Sequence, residues 1–222
     1  MIKVLRQSLT GFRQGDHICV LYENKEEQIR IAAAFIADGL RRGERSAYAA
    51  DSATALQCFR HALGEAGIDV PYEEERRSLL LVTKDMAHVS GGKFDPSVVL
   101  KGLNASVESA LDDGYIGLRV CGDMAWLLDG VPGSSQIVAY EAACTEFFRN
   151  VRALGMCQYD RKRLSALELN GALATHPSIF MDGRHTANPY HAPTAEKLRV
   201  ESIEAFDAKY LQLKDRLQVP SP

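Results

Sequence analysis

The first apolar stretch of the sequence, residues 17–22, carries a histidine and a cysteine two positions apart. Side chains alternate along a β-strand, so His17 and Cys19 would share one face. Imidazole nitrogen and thiolate sulfur are typical ligands of transition metals. A four-coordinate site would need two more ligands, and Cys157 and His176 are available, although no spacing selects them. A hydrogen-bonded core histidine beside a buried thiol is the simpler interpretation, so we predict neither a metal ligand nor a cofactor.

Polar and aromatic side chains also follow the later apolar stretches, at the points where strands would end. The residues at these positions are Asp51, Asp123, Trp126, Tyr159, Asp160 and Arg161. The C-terminal ends of parallel strands meet at one edge of a sheet, where ligands bind in open α/β folds. We therefore predict a ligand pocket at that edge. Trp126 fits either a pocket wall or the ordinary core, and the sequence leaves both open.

Short apolar runs alternate with amphipathic helical patterns along the chain. The runs that have the length and composition of buried strands are residues 17–22, 45–50, 78–83, 117–123, 156–160 and 178–183. Capping residues open several of the helical patterns, among them Ser52, Asp95 before Pro96, and Ser165 with Glu168. Such alternation predicts an α/β fold with a mostly parallel sheet and helices on both faces.

The turn after the first predicted strand lacks the chemistry of a phosphate site. A phosphate loop has the form GxxxxGK[ST], whereas this sequence reads YENKEEQ. Asn24 is a suitable helix cap, and Glu26 and Glu27 fall in the first helical turn, where they interact favourably with the helix dipole. A triphosphate would meet carboxylates at this position. We therefore predict no nucleotide hydrolysis, no catalytic residues and no enzymatic activity.

The net charge, the cysteine content and the lack of a long apolar segment argue against several kinds of binding partner. The chain has 222 residues, a net charge of -3 and five cysteines. The charge gives no basis for a nucleic-acid surface. The cysteines form no CxxC pair, which is typical of reduced thiols. Neither a signal peptide nor an apolar run of membrane-spanning length is present, so we predict a cytoplasmic protein that contacts neither nucleic acid nor membrane.

Several short segments together resemble one family. The segments are HICVLYENKEEQ, ADGLRRGERSAYAAD, GGKFDP, GLRVCGDMAW, YE at 140–141, CQYDR, THP at 175–177 and NPY at 188–190. Their order resembles that of the MEDS family, the methanogen/methylotroph, DcmR sensory domain. The resemblance implies a RecA/KaiC-like fold that has lost its phosphate loop. It also implies that a small organic molecule, a hydrocarbon derivative, is sensed and that the output partner is a histidine kinase or a transcription regulator.

The same resemblance assigns residues to motifs. The first-strand motif contains His17, Cys19 and Tyr22. The two later motifs contain Arg119, Asp123 and Trp126 on the fourth strand, and Tyr159, Asp160 and Arg161 on the fifth. Together with Asp51, these residues form the predicted ligand-binding set.

The C-terminal segment is distinct from the rest of the chain. We predict a sensory domain over residues 1–193 and an amphipathic helix with a tail over 194–222, with Thr194 as the helix cap. The apolar residues of this helix follow a 3-4 spacing: Ile203, Phe206, Tyr210, Leu213 and Leu217. Two interpretations stay open, a homodimer seam and packing against its own domain.

The function predicted from these features is that of a non-catalytic sensory domain. It would bind its ligand at the C-terminal edge of the sheet and signal to a separate output protein. Two alternative functions belong to other classes of protein. One is a protein-interaction module without a small ligand, and the other is a sensor that responds to a metal or haem through His17 and Cys19.

Overall fold

The computed structural model describes residues 8–192 and 202–218. Its central feature is a sheet of seven strands in the order β3-β2-β6-β7-β1-β8-β9, and a separate hairpin joins β4 to β5. All neighbours in the sheet are parallel except β8 and β9. The strands are β1 His17–Tyr22, β2 Arg45–Ala50, β3 Leu79–Thr83, β4 Val89–Ser90, β5 Lys93–Phe94, β6 Leu118–Asp123, β7 Ala153–Asp160, β8 Ser178–Met181 and β9 Arg184–Ala187.

Helices cover both faces of the sheet, which confirms the predicted α/β class. Their bounds are α1 Lys25–Arg42, α2 Ala53–Glu65, α3 Val70–Glu75, α4 Lys84–Ala87, α5 Pro96–Asp112, α6 Ile137–Asn150, α7 Ala166–Thr175 and α8 Ile203–Gln218. One buried apolar cluster contains residues of α1 and α2, and the other contains residues of α5, α6, α7 and α8. The sheet therefore separates two cores.

Local capping explains where the helices begin. The side chain of Asn24 accepts a hydrogen bond from the Glu27 amide at the start of α1, and Ser52 caps α2. Asp95 caps α5 immediately before its first-turn proline. Ser165 and Glu168 form a reciprocal capping box at α7. Each cap satisfies backbone amides that have no partner within the helix.

The strand bounds of β1 and β2 match the sequence prediction, but β9 was not predicted. Asp182 and Gly183 both have positive φ, at 50° and 72°, and form the tight turn between β8 and β9. The strand that follows, Arg184–Ala187, is mostly exposed and polar. Without a buried face it lacks the alternation of apolar residues by which a strand is recognised.

Helix α8 packs against its own domain. Its apolar stripe contacts the core that contains α7, and Phe206, Tyr210, Leu213 and Leu217 are buried there. The amphipathic interpretation thus accounts for these four seam residues. A homodimer stays a prediction, and it would have to use another surface. The predicted start of the helix at Thr194 falls within 193–201, outside the described residues.

Within residues 8–192 and 202–218, no helix combines the length and the apolar character that crossing a bilayer requires.

Candidate functional site

Three of the predicted site residues meet at the C-terminal edge of the sheet. Asp123 accepts hydrogen bonds from the Tyr22 hydroxyl at 3.3 Å and from the Lys25 ammonium at 2.6 Å. Lys25 also reaches Asp51 at 3.4 Å. Burial raises the pKa of Asp123, and the nearby ammonium opposes this rise. These polar groups are therefore largely partnered by one another.

The connection between β1 and α1 cannot enclose a phosphate in the manner of a phosphate loop. Only Glu23 and Asn24 separate the two elements. The Glu23 amide donates to the Glu27 carboxylate at 3.0 Å, and the Glu27 amide donates to Asn24. Side chains of the protein thus occupy amides that would bind an anion in the nucleotide-binding version of this layout.

Arg119 lies away from this edge, although its motif predicted a site residue. It is fully buried near the start of β6, beneath α1. Its guanidinium contacts Asp38 at 3.2 Å and Glu44 at 2.6 Å, and it donates to the Phe35 carbonyl at 3.0 Å. The side chain holds α1 to the sheet and does not face a cavity.

Trp126 belongs to the core. The side chain is fully buried, with its ring 4.9 Å from the Phe94 ring and stacked at 5.5 Å on the His88 imidazole. Of the two interpretations that the sequence left open, the structure shows the core one. His88 separates the indole from the cavity described below.

The residues at the end of β7 point in different directions. Tyr159 donates to the Glu141 carboxylate at 2.5 Å in the interior. Asp160 accepts from the Lys162 amide at 3.0 Å and so stabilises the turn after the strand. Arg161 points away from Tyr159 and links the β1–α1 connection to α8.

That link involves two acidic partners and one ring. Arg161 contacts Glu23 and Asp207, each at 3.4 Å, and its guanidinium lies 4.1 Å from the Tyr210 ring. Tyr210 in turn donates to Glu23 at 3.0 Å. Helix α8 is thus tied to the loop that would hold phosphate in a nucleotide-binding relative of this fold.

A large concavity lies on one face of the sheet. It has a volume of about 370 Å³ and is mostly apolar. Its walls come from β2, β3, β6 and β7, from α5 and α6, and from the segment around β4. Exposed Met86 and Val98 stand at its mouth, whereas Cys144 and Phe148 are buried at its inner end.

Small residues on the sheet face make room for this cavity. Ala47 and Ala49 of β2 line it, and so do Gly122 of β6 and Gly155 of β7. The strand register places Ala49 beside Gly122 and Val120 beside Gly155. A β-carbon on Gly155 would come within 2.3 Å of the Phe148 ring, so glycine permits that ring to pack on the sheet. The opposite face carries no comparable run of small side chains in these strands.

His88 supplies a polar group to the cavity wall. It is 9% exposed, and its Nδ1 atom is buried without a hydrogen-bond partner. Burial lowers the pKa of His88 to about 4, so the imidazole is neutral at neutral pH. The imidazole is therefore a neutral hydrogen-bonding group in a mostly apolar wall.

A second group of side chains lies at the inner end of the cavity. We name it the Glu141 cluster, and its members are His17, Glu141, Cys157 and His176. One ligand-type atom from each lies within 4.8 Å of all the others. Cys157 also lines the cavity, so the two features share a side chain.

The elements bring the cluster together from four places in the chain. His17 opens β1, Glu141 faces the sheet from α6, Cys157 lies within β7, and His176 follows α7. Cys19 is the register partner of Cys157 on the neighbouring strand, but it lies outside the cluster. The structure therefore joins His17 to partners other than the cysteine with which the sequence paired it.

Burial controls protonation in this cluster. It lowers the pKa of both His17 and His176 to about 3, so both imidazoles are neutral at neutral pH. Burial raises the pKa of the Cys157 thiol, and the neighbouring Glu141 carboxylate adds to the rise. Within the described residues, no Lys or Arg forms an ion pair with Glu141.

Sequence reasoning missed Glu141 and His88 as site residues and considered Cys157 and His176 only as possible further ligands of a metal that it did not predict. The sequence did contain an indication for Glu141. It lies on the same helical stripe as the apolar residues Ile137, Cys144 and Phe148, and a carboxylate on a buried stripe is destabilising unless it has a partner. The sequence contained no such indication for His88, because the short segment around it shows no periodicity. Its position depends on packing against Trp126.

Comparison with known proteins places the fold. The structure is similar to the crystal structure of a KaiC-like protein from the hyperthermophilic archaeon Pyrococcus horikoshii OT3. The TM-score is 0.54 at 12% sequence identity, over 77% of this chain and 72% of that chain. This likeness concerns the fold alone and confirms the predicted RecA/KaiC-like architecture. No curated protein matches the sequence.

The family profile described as MEthanogen/methylotroph, DcmR Sensory domain matches residues 16–177. This description indicates a sensory role. The chain therefore belongs to the MEDS family.

Proposed function

We propose that this domain senses a small organic molecule, a hydrocarbon derivative, by binding it in the apolar cavity between the sheet, α5 and α6. The cavity itself is the observation that supports the proposal. Its volume of about 370 Å³ falls within the range of roughly 300–1,000 Å³ that small-molecule pockets span. The ligand position proposed here is the sheet face, whereas the sequence suggested the C-terminal edge.

The wall chemistry defines the ligand. Most of the lining is aliphatic or aromatic, and the neutral His88 imidazole supplies a hydrogen-bonding group to the wall. An apolar body with one hydrogen-bonding group fits this arrangement. A single water accounts for roughly 30 Å³ of liquid, so a one-carbon compound would fill little of the cavity. We expect a ligand of several heavy atoms, with an affinity bounded by its small size.

Packing provides a route from the cavity to the surface. Helix α6 lines the cavity and packs on α7, and α7 packs on α8. A ligand that fits one arrangement of α5 and α6 better than another would shift the population towards it. The output partner in this proposal is a histidine kinase or a transcription regulator that reads α8.

The proposal includes no catalysis. The C-terminal edge, where related layouts bind phosphates, carries an internally paired set of Lys25, Asp51 and Asp123. We further propose a cytoplasmic location and no direct contact with nucleic acid or membrane, in keeping with the net charge of -3.

A ligand series with a cavity-filling variant tests the proposal. Thermal unfolding of the full chain is measured with alcohols and halogenated hydrocarbons of increasing chain length. We expect the midpoint to rise with length until the cavity is full and then to fall. Ala49→Leu should abolish the shift, because the added carbons occupy the cavity. The matched control Ala105→Leu, on the exposed side of α5, should retain it.

His88→Phe provides the second readout. The ring can still stack on Trp126, but the hydrogen-bonding atoms are lost. In the wild type, alcohols should raise the midpoint more than halogenated compounds of equal size, because their hydroxyl can hydrogen-bond to His88. This difference should disappear in His88→Phe. A flat response across the whole series in the wild type, or equal responses in Ala49→Leu and Ala105→Leu, would refute the cavity as the sensing site.

A further inference from the structure

We propose that the Glu141 cluster is a binding site for one divalent transition-metal ion of the Zn²⁺ type. Two imidazoles, one thiol and one carboxylate converge on a common point in the interior. All four side chains come from the chain itself. The proposal does not depend on the proposed ligand, because it is based on the geometry of the cluster alone.

Distances between the donor atoms fit a tetrahedral ion. The Glu141 Oε2 atom lies 3.3 Å from His17 Nε2 and 3.5 Å from His176 Nε2. The Cys157 Sγ atom lies 3.5 Å from both Glu141 Oε2 and His17 Nε2. A tetrahedral zinc ion with bonds of about 2.0–2.3 Å separates its ligands by about 3.3–3.6 Å. Four of the six separations therefore have the required length.

The outer ring nitrogen of His17 has a hydrogen-bond partner that fixes its tautomer. His17 Nδ1 lies 2.7 Å from the Thr145 hydroxyl oxygen. That hydroxyl donates its own proton to the Thr175 carbonyl at 2.6 Å. Thr145 must therefore accept from His17, so Nδ1 carries the proton and Nε2 presents a lone pair to the cluster.

His176 has the same arrangement. Its Nδ1 atom lies 2.8 Å from the Ala172 carbonyl oxygen, which can only accept. The Nε2 atom again presents a lone pair, and it is fully buried without a hydrogen-bond partner. Outer hydrogen bonds that orient metal-binding histidines in this way are a general feature of metal sites.

Two imidazole lone pairs thus face a carboxylate across 3.3–3.5 Å. Acceptors that face one another do not satisfy each other. The single Cys157 thiol proton can serve Glu141 Oε2 or His17 Nε2, and His176 Nε2 has no hydrogen-bond partner. A divalent cation at their centre would convert each lone pair into a coordination bond. With Cys157 bound as thiolate and Glu141 as carboxylate, a divalent ion makes the site electrically neutral, which a low-dielectric interior favours.

The donor types select the ion. Nitrogen and sulfur ligands in a four-coordinate site favour Zn²⁺ and chemically similar ions such as Co²⁺. Mg²⁺ and Ca²⁺ require six or more oxygen ligands, and this cluster supplies one carboxylate. Cys157 also lines the cavity, so one ligand of the ion would form part of the cavity wall.

Cobalt titration tests the site directly. The full chain is treated with chelator, dialysed and titrated with Co²⁺ while the absorption spectrum is recorded. We expect one equivalent to bind, with tetrahedral d–d bands and a thiolate-to-cobalt charge-transfer band, and Zn²⁺ should displace it. Cys157→Ser should remove the charge-transfer band, and His176→Gln should weaken binding at least tenfold. Far-UV circular dichroism checks that both variants are folded.

The control addresses adventitious binding on the surface. Cys58, His61 and Glu65 lie on one exposed side of α2 and could also bind cobalt weakly. Cys58→Ser should leave the stoichiometry and the charge-transfer band unchanged. Absence of a charge-transfer band in the folded wild type would overturn the proposal. A band that survives Cys157→Ser and vanishes in Cys58→Ser would overturn it equally.

Discussion

Two buried charged centres lie on opposite sides of the sheet, and they differ in how their charge is balanced. Arg119 is fully buried beneath α1, with Glu44 and Asp38 as its counterions. Glu141 is 1% exposed on the sheet-facing side of α6, and its neighbours are two neutral imidazoles, a thiol and the Tyr159 hydroxyl. Arg42 also pairs with Asp38 at 2.8 Å, so two cations and two carboxylates balance the first centre within the chain. The second centre has no Lys or Arg partner among the described residues.

This difference separates a structural role from a binding role. A buried ion pair that is complete within the chain contributes to the arrangement of α1 on the sheet and has no vacancy for a ligand. Burying a carboxylate without a counterion costs free energy, and binding a cation from solution offsets that cost. The cavity lies on the side of Glu141. Recognition would then be concentrated on one face of the sheet and mechanical support on the other.

Removing the arginine should have the largest effect on stability. Arg119→Met leaves Glu44 buried without its cation and Asp38 paired with Arg42 alone, and breaking a buried pair in this way typically costs about 3–5 kcal/mol. The free energy of unfolding is measured by urea denaturation. Arg30→Met, which removes only the exposed pair with Glu26 on the same helix, should cost about 0.5 kcal/mol or less. Similar losses in the two variants would mean that the Arg119 centre is not the support described here.

A methyl group placed against Arg119 should have an intermediate effect. A β-carbon on Gly39 would lie 2.6 Å from Arg119 Cδ and from Ser46 Oγ. Overpacking of this kind costs about 1–3 kcal/mol, and it opposes the gain of about 1 kcal/mol that alanine gives in a helix. Gly39→Ala should therefore destabilise the protein in a urea titration. Gly64→Ala in α2 has open space around it and should be neutral or stabilising.

The smallest effect is expected at the surface link to α8. Arg161→Gln removes partly exposed contacts with Glu23, Asp207 and the Tyr210 ring, which together contribute about 0.5–1 kcal/mol. Hydrogen exchange should speed up in residues 203–218 and little elsewhere, and the effect should weaken at high salt. Arg149→Gln, which breaks an exposed pair on α6, is the control and should leave exchange in α8 unchanged.

The sequence predicted the sheet well because the strand signals are local. β1 and β2 have the predicted bounds, and the caps at Ser52 and Ser165 were recognisable from their spacing. The edge strand β9 was missed because it has no buried face. Its turn at Asp182 and Gly183 was the only local signal.

The candidate site was harder to predict because it depends on contacts between distant parts of the chain. His17 and Cys157 are 140 positions apart, and Glu141 reaches them from a helix. Motif membership grouped Arg119 with Asp123, yet one supports α1 and the other pairs with Lys25 at the edge. The cavity depends on small residues in separate strands, which no local pattern reveals.

The central claim is that the Glu141 cluster binds a divalent cation, and the exchange Glu141→Gln tests it most directly. Glutamine can accept from Tyr159 with its oxygen and donate its amide protons to His17 and His176. Thermal unfolding is recorded for both proteins in chelator and in excess Zn²⁺.

In chelator, we expect the Gln variant to unfold at a higher temperature than the wild type, because two new hydrogen bonds add about 1–2 kcal/mol to the free energy of unfolding. In Zn²⁺, the order should reverse, because only the wild type gains binding energy, about 2.7 kcal/mol at a hundredfold excess over the dissociation constant. A wild type that is indifferent to Zn²⁺ and more stable than the variant in chelator would contradict the account.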